Sequence, residues 1–286
     1  MTVLEVIKRS TEFLTRKGVE SPRLQVELIL AHVLKLPRLQ LYLNFERKLD
    51  ERDIESIREM IKRRGAREPL QHITGSTSFC GLEIAVNRDV LVPRPETELL
   101  AERGWKFLQN VPAEADAPKV LDFGTGSGCI AIALAIHAPR SGVWAVDTSK
   151  PALAMARANA ERHGAESRIQ FIHAASLCEL DAALRFDLVI SNPPYIPAGE
   201  IEGLDPEVRE FDPRQALDGG TDGLKFYSLL AAEARERLKT RGSMMLEFGD
   251  GQAEAISNLL SKAGWDIEAV ERDLSGRERI LVARPG

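Results

Sequence analysis

Apolar residues recur at helical spacing through the first part of the chain. Leu4, Ile7 and Leu14 form one stripe, and after a Ser21-Pro22 start signal Leu24, Val26, Leu28, Leu30 and Val33 form another. Between Asp50 and Arg64, Ile54, Ile57, Met60 and Ile61 share a face. These segments predict several short helices packed as a small bundle that ends near Arg67. From His72 to Val92 the period changes. Residues 76–80 and 82–86 flank Gly81, a pattern that predicts a β-hairpin joining the bundle to the body of the protein. Pro93-Arg94-Pro95-Glu96-Thr97-Glu98 then leads into a helix through Leu108, with Pro95 or Thr97 as its start signal.

Beyond an Ala- and Pro-rich linker at Val111–Pro118, strands and helices alternate. Val120–Phe123, Val143–Asp147, Ile169–Ile172 and Phe186–Ser191 read as strands, with helices over 129–137 and 151–163. Helix 224–239, strand 243–248, helix 252–263 and two strands near 266–271 and 279–283 complete the series. Such alternation predicts an α/β fold: an open, mostly parallel sheet with helices on both faces. Three regions are expected: a helical domain over 1–67, a hairpin connector over 68–92 and a catalytic domain over 93–286.

Composition limits the alternatives. With 44% hydrophobic and 28% charged residues, the 286-residue chain has the make-up of a soluble globular protein with a true core. No window approaches the roughly 20 apolar residues of a membrane span, and the first residues lack the apolar run of a secretory signal. Cys80, Cys129 and Cys178 are widely separated, which argues against a disulfide framework or a structural zinc and suits a reducing cytoplasm. Residues 1–88 carry 16 basic and 12 acidic side chains, whereas the whole chain carries 38 and 43, so the front is mildly basic and the body acidic.

Val120-Leu121-Asp122-Phe123 runs into Gly124-Thr125-Gly126-Ser127-Gly128, a strand followed by a glycine-rich turn and a helix. Glycines there let a ligand touch the backbone, and helix amides face it. Cys129 stands where a dinucleotide fingerprint has its last glycine or alanine, so a pyrophosphate clamp is poorly matched and a nucleoside without phosphates fits better. Asp147 closes the next strand, where an acid can accept both ribose hydroxyl hydrogens. The competing reading of Asp147 is a helix cap before Lys150-Pro151.

Asn192-Pro193-Pro194-Tyr195 follows the strand ending at Ser191, at the sheet edge where open α/β folds bind ligands. The prolines have no N–H, so their carbonyls must find donors elsewhere. An NH₂ on an sp² carbon offers two hydrogens, one for the Asn192 side-chain oxygen and one for the Pro193 carbonyl. Tyr195 offers an aromatic wall for a planar group. An amide or aryl amine nitrogen held this way is a poor nucleophile that gains most from positioning and electrostatics.

Together the strand, the glycine turn, Asp147 and the Asn-Pro-Pro-Tyr loop resemble class I S-adenosylmethionine-dependent methyltransferases. More narrowly, the chain resembles the HemK/PrmC family of peptide chain release factor glutamine methyltransferases. That likeness runs through Gln71-His72-Ile73-Thr74-Gly75, Phe79-Cys80-Gly81, residues 92–98, Phe211-Asp212-Pro213-Arg214-Gln215-Ala216-Leu217 and Gly219-Gly220-Thr221-Asp222-Gly223. It implies a seven-stranded sheet whose last strand is antiparallel, and an N-terminal helical domain that docks release factors. It also implies an acceptor glutamine in their Gly-Gly-Gln motif. Carried over by residue, Gly124, Thr125, Gly126, Ser127 and Gly128 hold S-adenosylmethionine, Asp147 its ribose, and Asn192, Pro193, Pro194 and Tyr195 the glutamine amide. After Ile169–Ile172 relatives often place an acidic or aromatic residue beside the adenine; here Ala174-Ala175-Ser176-Leu177 follows, and Ser176 is the candidate contact.

The same loop chemistry serves enzymes that methylate exocyclic amines of DNA or RNA. Residues 198–223 hold eight acids (Glu200, Glu202, Asp205, Glu207, Glu210, Asp212, Asp218, Asp222) against Arg209 and Arg214, a balance expected to repel a phosphate backbone and to disfavour stable nucleic-acid binding. A cofactor-binding protein without catalysis is disfavoured by the intact Asn192 and glycine turn. His72, His163 and His173 have no metal-ligand spacing, and no metal is expected. His32 and His137 read as packing or surface residues. Arg94 and Glu98 either shape the cofactor pocket or pair within the connecting segment.

Overall fold

The computed structural model describes residues 1–112 and 116–286, so part of the linker expected at 111–118 (residues 113–115) lies outside the described residues. The chain forms two compact units: Met1–Ser76 with Asp205–Phe211, and Thr77–Leu204 with Asp212–Gly286.

In the first unit the helices are α1 (Val3–Arg16), α2 (Pro22–Leu34), α3 (Glu51–Gly65) and α4 (Leu70–Thr74). Thr2 and Glu5 form a capping box at the start of α1, and Asp50 caps α3 by accepting from the Asp53 amide. The core contains Val3, Ile7 and Leu14 of α1, Val26, Ile29 and Leu30 of α2, and Ile57 and Ile61 of α3. The expected stripe on α2 is only partly correct. Leu24 and Leu28 are exposed, because at 3.6 residues per turn the buried face takes 26, 29 and 30. The segment Asp205–Phe211 belongs to this unit: Glu207 accepts from the buried Arg64 guanidinium at 2.9 Å and from Arg67 at 2.6 Å.

The second unit begins with a hairpin, β1 (Ser76–Phe79) and β2 (Leu82–Ala85), whose turn residues Cys80 and Gly81 have φ of 50° and 77°. Two positive φ values at the centre are what a type I′ turn requires. After α5 (Pro95–Gln109) come β3 (Lys119–Phe123), α6 (Cys129–His137), β4 (Gly142–Asp147), α7 (Lys150–Arg162), β5 (Ile169–His173) and β6 (Phe186–Ser191). α8 (Pro206–Arg209) lies in the segment that belongs to the first unit. The series ends with α9 (Lys225–Glu233), β7 (Leu238–Glu247), α10 (Ala253–Lys262), β8 (Trp265–Arg272) and β9 (Glu278–Pro285).

The seven strands order as β5-β4-β3-β6-β7-β9-β8, with β9 antiparallel to both neighbours and the β5 to β7 block parallel. This is the expected α/β sheet with its last strand reversed. Side chains alternate along the strands. Val120, Leu188 and Ile190 join the core beneath α5, α6 and α7, while Leu121, Phe123 and Val189 join the one beneath α9 and α10. The strand order reverses between β3 and β6, which places a crevice at their carboxyl ends.

One expected helix is too long. Over 224–239 the α-helix stops at Glu233, and Arg235–Arg237 form a 3₁₀ turn. Trp265 Nε1 donates to the Ala231 carbonyl, and the buried Arg237 donates to the Asp181 carbonyl. Leu238 is already paired with Phe186, so β7 starts there and not at 243, with a register shift before Ser243 meets Leu188.

Candidate functional site

The crevice at the switch point is a single cavity within the second unit. Gly124, Gly126, Asp147, Asn192, Pro193 and Pro194 line it together with Asp89, Leu91, Ala174 and Phe226. Six of the residues named from sequence therefore meet in one place, although 68 positions separate Gly124 from Asn192.

The glycine turn is fixed from behind. Gly124 and Thr125 amides donate to the Val146 carbonyl, and the Thr125 hydroxyl donates to buried Asp122. Burial raises the Asp122 carboxyl to about 7, against the hydrogen bonds from Thr125 and the Ala131 amide that favour its charge. The glycines are needed for different reasons. Gly124 and Gly126 have φ of 74° and 54° with open space where a Cβ would stand, so a side chain there would project into free room beside the turn. At Gly128 a Cβ would lie 2.9 Å from the Ala156 Cβ, so this glycine lets α6 and α7 approach. Thr125, Ser127 and Gly128 do not line the cavity; they build the turn that does.

Asp147 ends β4 and accepts from the Gly126 amide at 2.9 Å and from the Ser149 amide at 2.8 Å, one on each carboxylate oxygen. Each oxygen keeps a second acceptor site, so the acid both shapes the turn and can take ligand hydroxyls. Ser149, which the sequence reading passed over, caps α7 by accepting from the Ala152 amide.

Asn192 follows β6, whose last residue Ser191 donates its hydroxyl to the Phe123 carbonyl. The loop's far side is held by glycines: a Cβ at Gly219 would stand 2.9 Å from the Pro194 carbonyl oxygen. Ile196 accepts from the Gly219 amide, and the Tyr195 carbonyl accepts from Gln252 Nε2 at 3.0 Å. The Gly219–Gly223 segment is thus the backing of the Asn-Pro-Pro-Tyr loop. Tyr195 itself is not on the cavity wall. Its ring lies so near Gly249 that a Cβ there would come within 3.0 Å of it. Burial raises its phenol pKa.

Ser176 also stands away from the cavity. Its hydroxyl donates to Glu233 at 2.7 Å and accepts from the Cys178 amide, while Ala174 takes the place on the cavity wall. Asp89 and Leu91, from the loop between β2 and α5, and Phe226 of α9 were not anticipated and carry no local signal. Pro213, Gln215 and Ala216 also line the cavity, which accounts for part of the 211–217 segment. Arg94 pairs with Asp212 at 2.7 Å.

The acidic stretch is less free than its count suggests. Glu207 is paired with Arg64 and Arg67, Asp212 with Arg94, Glu202 with Arg214 and Glu210 with Arg209. Asp218 and Asp222 accept from the Gly220 and Leu224 amides. Much of the charge therefore serves internal structure.

Residues 5–75 match the PrmC N-terminal domain family, and residues 102–203 match the methyltransferase small domain family. A release factor glutamine methyltransferase of Geobacter sulfurreducens is 44% identical over 285 residues, spanning 100% of this chain and 97% of that protein. Another, from Chlorobaculum tepidum, is 42% identical across 94% of this chain and 93% of its own. A solved methyltransferase from Pyrococcus furiosus shares the fold with a TM-score of 0.51, at 19% identity over 73% of this chain and 91% of its own.

Proposed function

This chain belongs to the release factor glutamine methyltransferase family, and we propose that it methylates the side-chain amide nitrogen of the glutamine in the Gly-Gly-Gln motif of peptide chain release factors. S-adenosylmethionine is the donor, and when bound it supplies an electrophilic methyl group on a sulfonium centre. The observation that carries the reading is the convergence of Gly124, Gly126, Asp147, Asn192 and Pro193 on one cavity at the sheet's switch point.

The cavity suits a nucleoside donor. Open space at Gly124 and Gly126 lets a ligand approach the backbone of the turn closely, and Asp147 keeps acceptor capacity for ribose hydroxyls. Thr125, Ser127 and Gly128 act by holding the turn. Ala174 and Phe226 supply apolar wall, and we assign the adenine side to them in place of Ser176, whose hydroxyl is committed to Glu233.

An amide nitrogen's lone pair is delocalised into its carbonyl, so the protein must hold the nitrogen and favour positive charge on it. Asn192 Oδ1 and the Pro193 carbonyl are acceptors for its two hydrogens, and neither proline offers a competing N–H. Pro194 keeps the loop extended, and Tyr195 supports it through its carbonyl and ring. The helical unit formed by Met1–Ser76 with Asp205–Phe211 is assigned the docking of the release factor, following the family of its match.

No helix among the described residues is long and apolar enough to cross a membrane, and the proposed substrate places the enzyme in the cytoplasm. Stable nucleic-acid binding is not part of this reading. Incubation with labelled S-adenosylmethionine and unmethylated release factor, followed by peptide mass analysis, tests it. One added methyl group on the Gly-Gly-Gln glutamine is expected, and transfer to any other residue alone sinks the assignment.

A further inference from the structure

Behind the Asn-Pro-Pro loop lies a buried polar chain that the proposed reaction does not itself require. Asn192 Nδ2 donates to the Thr97 hydroxyl at 3.0 Å. Thr97 sits in the first turn of α5 and is only 3% exposed. Having accepted from Asn192, its hydroxyl has its own hydrogen to donate, and the neighbouring acceptor is the Glu247 carboxylate at the end of β7. Both the Thr97 hydroxyl and the Asn192 side chain favour the charged form of that carboxylate.

Glu247 is 1% exposed, and its Oε2 is buried without a hydrogen-bond partner. Arg279 on β9 also favours its charge and Glu96 opposes it, yet burial dominates and raises the carboxyl to about 7. A buried acid at the end of a central strand, incompletely paired, is costly to the fold and calls for a role beyond packing.

A side-chain amide has two faces of opposite character. If Asn192 turned over, its NH₂ would point at the cavity and repel the hydrogens of an incoming amide. An acceptor facing inward selects one of these two states. We propose that Thr97 and Glu247 are positioning residues that lock the Asn192 amide with Nδ2 inward, so that Oδ1 faces the acceptor nitrogen. This inference rests on the amide-clamp reading above. It extends the site to Thr97 of the Pro-Arg-Pro-Glu-Thr-Glu segment and to the end of β7, neither of which lines the cavity.

The test uses the full chain, labelled S-adenosylmethionine and unmethylated release factor. Thr97→Val and Glu247→Ala are expected to lower kcat by about tenfold to a hundredfold, as loss of preorganised polar groups does. Affinity for S-adenosylhomocysteine, read by calorimetry, should stay within about twofold, since the turn and Asp147 are untouched. Thr97→Ser and Glu247→Gln, which keep the hydroxyl and an acceptor carbonyl, should stay within about fivefold of the parent. A readout independent of activity is hydrogen exchange of the Asn192 side-chain amide, its NMR signal assigned by its loss in Asn192→Ala. Protection is expected in the parent and its loss in Thr97→Val.

If Asn192→Ala abolishes transfer while Thr97→Val and Glu247→Ala turn over like the parent, the clamp stands and the positioning role is overturned. If Asn192→Ala itself turns over normally, the clamp reading fails. Should the valine and alanine variants not fold, the parent's exchange decides: an unprotected Asn192 amide overturns the inference.

Discussion

Asn159 and Ala85 exchange a reciprocal pair of hydrogen bonds: the Ala85 amide donates to Asn159 Oδ1 at 2.9 Å and Asn159 Nδ2 donates to the Ala85 carbonyl at 3.0 Å. The second Nδ2 hydrogen goes to the Ser127 carbonyl at 2.9 Å. One buried amide on α7 thus ties hairpin strand β2 to the glycine turn. Asn159→Ala leaves two carbonyls and an N–H without partners. It is expected to lower stability by about 2 to 4 kcal/mol. Urea unfolding checks this; a loss below about 0.5 kcal/mol would show that the backbone groups find other partners.

The glycines of the turn should separate by assay. Gly128→Ala drives a Cβ against Ala156 and is expected to lose about 2 kcal/mol or more of stability. Gly126→Ala carries only the left-handed penalty of about 1 kcal/mol and should act chiefly on S-adenosylhomocysteine affinity, since its Cβ enters open space. Thermal melting and calorimetry on both variants decide it. Equal losses of stability would contradict the distinction.

Asp122 gives a pH signature. Its folded pKa, raised by burial from an ordinary 3.8 to about 7, means that the native state holds the proton more tightly than the unfolded chain. Its contribution is fully present below about pH 4 and is lost as pH rises through about 7. Asp122→Asn should flatten the decline in unfolding free energy across that window. An unchanged pH dependence would mean the carboxyl is ionised throughout.

Glu207 behaves in the opposite sense. Burial opposes its charge, but the hydrogen bonds from Arg67 and Arg64 prevail and lower its pKa from 4.5. Its contribution is present above that value and lost as pH falls below it. Glu207→Ala strands the buried Arg64 guanidinium, and a loss of about 2 to 3 kcal/mol is expected in urea unfolding, with Glu207→Gln recovering part of it. A neutral Glu207→Ala would show that Gln25 and the Glu68 carbonyl already satisfy Arg64.

Much of this was legible along the chain wherever the signal is local. The strand and turn at 120–128 and the acid closing β4 are short-range patterns, and so is the loop after Ser191. The alternation gave the sheet because period 2 and period 3.6 leave different traces. What stayed hidden depends on pairs far apart. Nothing near Asn159 reveals that it serves Ala85, 74 residues earlier. Thr97 and Glu247 are ordinary residues of a helix and a strand until folding brings them to Asn192. Ser176 and Tyr195 sit in plausible places along the chain, yet one hydroxyl is taken by Glu233 and the other residue's ring stacks beside Gly249. The acidic segment conceals its pairing for the same reason, since its counter-charges at Arg64, Arg67 and Arg94 lie more than 100 residues away.

The most direct measurement is methyl-label transfer from S-adenosylmethionine to a release factor with its Gly-Gly-Gln glutamine intact, beside the same factor with that glutamine replaced by alanine and beside bulk RNA and DNA. The parent chain should label the intact factor alone, and Asn192→Ala should lose at least about a hundredfold in rate while still binding S-adenosylhomocysteine. Label entering the alanine-substituted factor equally, or entering nucleic acid in preference to protein, would contradict the amide clamp.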